Sequence, residues 1–520
     1  MISDINIKIN RDLCFSCGQC VERCIMDNLR MYLAPCRSAC PIQMNCQGYV
    51  RLLVQGKSAE AAQEMRKGLP FAGILGRVCT HPCEDKCERK NFDGEAVHIR
   101  ALKRHLADSH PEIAHEPAAP AKATNRRVAV VGSGPAGLMA AHDMALQGHL
   151  VTVFESATEP GGMLRWAIPA FRLPAREIAQ SIEMLEKMKV RFECGRTLGK
   201  DLDLDKLEQE WDAVLLAIGG GPAAKLNIPG EDLPNVHHGL DLLCKARQGR
   251  ATHVGPRAIV IGGGNVAVDA ALTCRRLGAS EVSLVCLEEE GNMPAFQAEI
   301  REAVEEGIHI VGCHGPRRIQ QDSRGLAIEF SRCLSLYDEG GRFNPQLDDA
   351  CSLSASADTV VVAIGQRAAS LRTPVDALTM QTLRPKVFMA GDVVSGSRSV
   401  VEAMAQGREA ALSIGRLLSG EGLRWGRTSS GGACITDFPI DRSKAIVRPR
   451  GALPRLSPSE RKLDREVEKS MEPEAARAEA ERCLSCGRPA EVNKTCWYCL
   501  PCEIECPVKA LEVRMPYLVR

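Results

Sequence analysis

From Val128 to about Leu418 the chain alternates short, unbroken apolar runs with Gly-rich turns and with stretches whose apolar positions recur at helical spacing. Runs such as Val128-Ala-Val-Val131, Val151-Thr-Val-Phe154, Ala258-Ile-Val-Ile261 and Thr359-Val-Val-Val362 are too short for helices and too uniformly apolar for strands with one wet face. They predict parallel strands covered on both faces by crossover helices, an α/β architecture. Ahead of them, Tyr49–Met65 and Ile99–Leu106 carry helical apolar spacing, so residues 34–115 read as mostly helical. The Pro- and Ala-rich stretch 116–126 predicts a linker before the first strand. Residues 421–475 are rich in Gly, Pro, Ser and charge and read as a second linker, which ends on a helical run from Glu472.

Length adds a domain count. At roughly 150 residues per domain, 520 residues make three or four domains. With 45% hydrophobic and 25% charged residues the chain is an ordinary globular one, and a net charge of +1 supplies no field that would recruit nucleic acid or an anionic membrane. The segment Met1–Asp12 is charged where a signal peptide needs an apolar core, and nowhere do 18 uncharged apolar residues run together. A cytoplasmic protein is expected.

Cysteine changes the picture. There are 24, of which Cys194, Cys244, Cys274, Cys286, Cys313, Cys333, Cys351 and Cys434 are scattered and read as core residues. The other 16 are grouped: Cys14, Cys17, Cys20, Cys24, Cys36, Cys40, Cys46, Cys79, Cys83 and Cys87 near one end, and Cys483, Cys486, Cys496, Cys499, Cys502 and Cys506 near the other. In a reducing compartment close-spaced thiols are metal ligands or redox centres rather than structural disulfides.

Two glycine signatures stand 130 residues apart, at Gly132 and Gly262. The first, Gly132-Ser-Gly134-Pro-Ala-Gly137, follows a strand, opens a helix and is followed 23 residues after Gly132 by Glu155 at the end of the next strand. That order is what a dinucleotide fold needs. One glycine makes the turn, one admits the pyrophosphate and one lets helix pack on strand, while the acid accepts from a ribose. The second, Gly262-Gly-Gly264-Asn265-Val-Ala267, has Ala for the third Gly. Two such sites in one chain suggest a flavin and a nicotinamide face to face. After the next strand come Leu287, Glu288, Glu289 and Glu290, where a 2′-phosphate would want a guanidinium. Carboxylates repel that phosphate, so NAD(H) is expected over NADP(H), a solvated acidic loop being the plainer reading.

These motifs, together with Gly161-Gly162-Met-Leu-Arg-Trp-Ala-Ile-Pro-Ala-Phe-Arg172-Leu-Pro, Met293-Pro-Ala-Phe and Ala390-Gly391-Asp392, resemble the glutamate synthase small (beta) subunit and its relatives over about residues 34–420. The resemblance implies FAD at Gly132, Gly134, Gly137, Glu155, Gly162, Arg172, Gly391 and Asp392, and NAD(P)H at Gly262, Gly264, Asn265, Ala267 and Glu288. It implies a disulfide-reductase-like flavoprotein built of two Rossmann-like dinucleotide-binding domains. The chain departs from that subunit at Leu287-Glu288 and in extra ferredoxin-like segments at both ends. No side chain is assigned as catalytic.

A flavoprotein of the disulfide reductase type passes electrons to a nearby Cys pair, and no CxxC lies between residues 128 and 420. The exit is elsewhere. Cys14-x2-Cys17-x2-Cys20-x3-Cys24 and Cys496-x2-Cys499-x2-Cys502-x3-Cys506-Pro507 have bacterial ferredoxin spacing for 4Fe–4S clusters, with zinc as the weaker alternative. Whether Cys24 and Cys506 each serve the other run's cluster is left open by spacing. The remaining Cys36, Cys40, Cys79, Cys83 and Cys87 look like the same family's helical iron–sulfur domain without its usual leading CxxC, and Cys483-Leu-Ser-Cys486 resembles that missing piece, displaced. One division puts Cys36, Cys87, Cys483 and Cys486 in one cluster and Cys40, Cys46, Cys79 and Cys83 in another. In the other division Cys483 and Cys486 are spare, so three or four clusters are expected.

The expected organisation is a ferredoxin-like 4Fe–4S segment (1–33), a helical iron–sulfur domain (34–115), a linker (116–126), FAD-binding parts (127–255 and 358–420) around an NAD(H)-binding domain (256–357), a linker (421–480) and a second ferredoxin-like segment (481–520). The expected function is that of an NADH-linked FAD and iron–sulfur electron-transfer subunit that passes electrons between NAD(H) and a large catalytic redox subunit or ferredoxin through 4Fe–4S clusters, within a hetero-oligomer. A glutamate synthase small subunit and a non-catalytic scaffold are the alternatives.

Overall fold

The structure is a computed structural model and describes residues 6–26, 28–250, 253–323, 325–367, 373–396, 398–427, 434–443, 445–492 and 496–514. The β-branched runs form two five-stranded, all-parallel sheets. In the first, the order is Val387–Met389, Ala213–Leu216, Arg127–Val131, Leu150–Glu155, Arg191–Cys194. Helix Pro135–Leu146 covers it and packs along helix Val400–Ser419, a close approach that Gly407 makes possible: a Cβ there would lie 2.2 Å from the Ala136 carbonyl oxygen.

The second sheet runs His309–Val311, Glu281–Val285, Arg257–Ile261, Thr359–Val362, Val236–His238. Two strands are thus assigned differently from the expected boundaries. Thr359–Val362, counted with the returning flavin part, pairs with Arg257–Ile261, and Val236–His238, counted with the first flavin part, forms this sheet's edge. Both are short apolar or mixed runs whose membership depends on a partner more than 100 residues away. An antiparallel three-stranded sheet of His314–Asp322, Gly325–Tyr337 and Phe343–Ala357 is inserted between the parallel strands His309–Val311 and Thr359–Val362.

Residues 35–114 are helical, as the spacing predicts, with one correction. The expected helix over Tyr49–Met65 is two helices, Cys46–Val54 and Ser58–Gly68, because Gly56 turns the chain at φ +77°. Asn45 starts the first of them, its side chain accepting from the Gly48 amide.

The ends of the chain meet. Ile7–Ile9 pairs antiparallel with Leu511–Val513, and Leu29–Tyr32 lies between Arg488–Glu491 and Cys434–Ile435. The expected linker 421–480 is tied down by charge instead of apolar periodicity. Glu468 binds Arg100 at 2.7 Å, Glu466 binds Arg77 at 2.8 Å and Arg104 at 2.9 Å, and helix Pro473–Ala480 packs on Cys46–Val54 and Ile99–Ser109. Among the described residues no helix is long and apolar enough to cross a membrane.

Candidate functional site

The first glycine loop has the shape of a phosphate cradle. Gly132 sits at φ +106°, where a Cβ would be 2.2 Å from the Ala217 oxygen, and Gly137 lies so close that a Cβ would come 2.0 Å from the Gly132 oxygen. At Gly134, by contrast, a Cβ would meet nothing within 4 Å. That open space faces the N-terminus of helix Pro135–Leu146, where free amides and the helix dipole favour a diphosphate. Gly162, at φ +54°, backs onto Gly134, a Cβ there falling 2.7 Å from its Cα.

Glu155 is buried and accepts from the Ser133 amide (3.0 Å) and hydroxyl with one oxygen, and from the Ala157 amide (2.8 Å) and Ser156 hydroxyl (3.0 Å) with the other. Its acceptor positions are engaged by the protein, so a ribose would share it with Ser133, a partner that sequence reasoning missed. Gly391 reaches the same cradle side: its amide donates to Gln406 Oε1 at 2.7 Å, and a Cβ there would be 3.1 Å from Ala136. Asp392 accepts from the Arg398 amide at 3.3 Å, and burial raises its carboxyl above the usual range.

The second cradle repeats the design. Gly262 has φ +140° with the Ala363 oxygen 2.3 Å from a would-be Cβ, Gly264 again has nothing within 4 Å, and Ala267 is fully buried where the third Gly would stand. Asn265 Oδ1 accepts from the Phe296 amide at 2.9 Å. The Glu288 carboxylate curls back over this loop, its Oε2 2.5 Å from where a Cβ on Gly263 would be. Arg172 does not stand free for a cofactor. It binds Asp269, and at 2.8 Å Glu299, both on helices of the second unit, and so joins the two units. Only its Nη2 remains without a hydrogen-bond partner. Burial pushes the Glu299 carboxyl up to about 7, against the pull of Arg172 and helped by Asp269 and Glu302.

The grouped thiols converge in four sets. Cys14, Cys17, Cys20 and, from the other run, Cys506 line one cavity with Phe15 and Pro507. Cys24, Cys496, Cys499 and Cys502 form the reciprocal set, and burial followed by the other three cysteines pushes the Cys502 thiol up to about 11. Cys36, Cys87, Cys483 and Cys486 line a third cavity with Arg89 and Val97. Cys46 touches that cavity too, yet it is hydrogen-bonded to both Cys36 and Cys83 and belongs equally with Cys40, Cys79 and Cys83 around Lys103. Burial pushes the Cys483 thiol up to about 11, so as free thiols these groups hold protons that metal binding would release.

Among the described residues no three His, Cys, Asp or Glu side chains close on one point as the ligands of a single ion do. Sets of four thiols around cavities suit a larger, sulfide-bridged cluster better than one zinc ion. The third and first sets are neighbours, since the Ser16 hydroxyl donates to the Gly487 oxygen at 3.0 Å and Gln47 bonds both. The fourth set borders the second cradle: Cys79 Sγ accepts from the His81 amide at 3.4 Å, and the His81 ring lies 6.2 Å from that of Phe296.

Two dinucleotide cradles joined to a helical, thiol-rich domain define an oxidoreductase of the flavin, pyridine nucleotide and iron–sulfur class. Comparison with known proteins makes the assignment: residues 126–407 match the pyridine nucleotide-disulphide oxidoreductase model and residues 14–114 the model for dihydropyrimidine dehydrogenase domain II with its 4Fe–4S cluster, and the chain belongs to this oxidoreductase family. It is 34% identical to the NADP(+)-dependent formate dehydrogenase subunit beta of Moorella thermoacetica over 88% of this chain and 71% of that one. It is 33% identical to the NAD-dependent dihydropyrimidine dehydrogenase subunit PreT of Escherichia coli over 74% of this chain and 92% of that one. With the glutamate synthase [NADPH] small chain of Halomonas elongata it shares 31% over 73% of this chain and 87% of that one, in keeping with the family resemblance read from the motifs.

Proposed function

We propose that this chain carries electrons between NAD(H) and a separate catalytic redox subunit through FAD and four 4Fe–4S clusters. The observation that carries the reading is the pairing of the two chain ends, which brings four thiol sets into one series from the second cradle to the terminal segments. The ligand sets we assign are Cys40, Cys46, Cys79 and Cys83; Cys36, Cys87, Cys483 and Cys486; Cys14, Cys17, Cys20 and Cys506; and Cys24, Cys496, Cys499 and Cys502. FAD at the Gly132–Gly137 loop would accept the hydride pair and release it in single electrons, the step that a cluster's one-electron capacity requires. The chain's own contribution is to hold the diphosphates at Gly134 and Gly264, to fix the two units by Arg172, and to keep water from the buried thiols.

NADH is favoured by Glu288, whose carboxylate lies over the second loop where a 2′-phosphate would need a cation. Two of the three relatives above are named for NADP and one for NAD, so the choice rests on this side chain. Each relative is named as one subunit or chain of an enzyme, which supports a catalytic partner here. The reducing conditions that 16 grouped thiols need fit the cytoplasm.

Anaerobic stopped-flow mixing of the reconstituted chain with NADH tests the reading. Flavin absorbance should bleach first and cluster EPR signals follow, faster with NADH than with equal NADPH. A flavin that bleaches while every cluster stays oxidised and an added low-potential acceptor is not reduced would refute the electron-carrying role.

A further inference from the structure

Helix Ile99–Ser109 turns three long cations inward, and two are answered by carboxylates. Arg100 pairs with Glu468 at 2.7 Å, and Arg104 with Glu466 at 2.9 Å and Asp108 at 3.2 Å. The third, Lys103, is 7% exposed, and among the described residues it has neither an ion pair nor a hydrogen bond. The titratable groups that act on it are Cys79, Cys83, Cys40 and Cys46, each itself buried, and Cys46, Cys79 and Cys83 stand on or at the end of helices Cys46–Val54, Ala72–Val78 and Pro82–Asp85, which all pack against this helix. A buried ammonium with no counter-charge is strongly disfavoured, because nothing in the interior replaces its hydration. Neutral thiols do not offset that cost, whereas four thiolates on a cluster do, and ligation is what makes them thiolates. The helix therefore keeps one uncompensated positive charge beside one particular set of sulfurs.

We propose that Lys103 sets the reduction potential of the cluster held by Cys40, Cys46, Cys79 and Cys83, stabilising its reduced form. The proposal rests on the ligand grouping given above. Reduction of a cluster adds one electron and breaks no bond, so the set becomes more negative by one charge. A fixed cation beside the set in a low-dielectric interior favours the more negative state, and the lysine needs no change of protonation to do this. The effect is local. Arg51 acts on Cys14, and Arg51 with Arg89 on Cys483, but these arginines are answered by Asp12 at 3.2 Å and by Asp93, whereas Lys103 has no carboxylate partner among the described residues. The set beside Lys103 is the one that borders the second nucleotide cradle through His81 and Phe296, so the raised potential falls at the end of the series nearest the nucleotide-binding units.

The test is a potentiometric EPR titration of the reconstituted full-length chain with dithionite and mediators, after iron and sulfide have been counted. Lys103→Met should retain its iron and lower the midpoint of one cluster by at least tenfold in the one-electron equilibrium constant, 59 mV. Lys103→Arg should restore most of the potential, and Lys103→Gln should behave as Lys103→Met. A full complement of iron with an unchanged midpoint in both neutral variants would overturn the proposal, leaving Lys103 as a spacer in the helix interface. Loss of that iron from both would overturn it too, since the residue would then be needed for the cluster's presence. Cys79→Ser separates the two layers of the argument: if it leaves untouched the signal that Lys103→Met shifts, the ligand grouping is at fault and not the role of the charge.

Discussion

Ending the chain at Glu491 asks whether the terminal runs exchange their fourth cysteines. The cut keeps strand Arg488–Glu491, Cys483 and Cys486, and it keeps Arg482, whose buried guanidinium answers Glu479 at 2.9 Å and the Ala96 and Glu95 carbonyls. It removes Cys496, Cys499, Cys502 and Cys506 and the strand Leu511–Val513. If Cys506 completes the set of Cys14, Cys17 and Cys20, that set is left one thiol short and Cys24 is stranded. Two clusters go, and iron falls by about 8 from about 16 per chain. If each run filled its own site, only one cluster, about 4 iron, would be lost. Iron and acid-labile sulfide assayed against FAD give the count, FAD being the internal standard because the cut lies far from both cradles. A truncated chain holding about 12 iron per FAD, with no three-iron EPR signal in the oxidised protein, would show that the runs do not cross.

Three further outcomes follow from the cradles and the joint between the units. Gly134→Val should fold, since its Cβ meets nothing within 4 Å, yet lose FAD and all NADH-dependent activity while keeping its iron; yellow, NADH-reducible protein would contradict the assignment. Leu287→Arg with Glu288→Arg should shift the kcat/KM ratio toward NADPH by tenfold or more, and an unmodified protein that already prefers NADPH would show the loop was misread. Glu299 carries a carboxyl raised to about 7, so its folded state binds a proton the unfolded state has lost between about pH 4.5 and 7, and its contribution to stability falls as pH rises through that window. Glu299→Gln should therefore flatten the decline in Tm between pH 5 and 8, and an unchanged slope would assign the decline to other groups.

What the sequence shows plainly is what short stretches decide. The cradles at Gly132 and Gly262 were legible because turn, pyrophosphate space and helix start all lie within a dozen residues, and the apolar runs beside them state their burial outright. The ferredoxin spacing was legible for the same reason, but the proposed exchange of Cys24 and Cys506 was not, because it depends on a strand pair between residues 7–9 and 511–513. Residues 421–480 read as a linker because they lack apolar period. Their order comes from Glu466 and Glu468 meeting Arg77, Arg100 and Arg104 across more than 360 positions. Lys103 was visible in principle. It falls on the same helix face as Ile99, Leu102 and Leu106, an apolar stripe where a lysine has no reason to be unless an anion waits there.

The meeting of the two ends has a consequence for how the protein is made. On the ligand sets proposed above, only that of Cys40, Cys46, Cys79 and Cys83 would be complete once Cys83 has left the ribosome. The other three wait for Cys483, Cys486 or the run from Cys496 to Cys506, so their thiols stay open throughout synthesis of both nucleotide-binding units. Closing so long a loop costs only the slowly growing logarithm of its length, so the delay is one of time more than of free energy. Delivery of those three clusters would then be a post-translational event, and a nascent or prematurely stopped chain would present half-built sites to whatever iron or oxidant reaches it first.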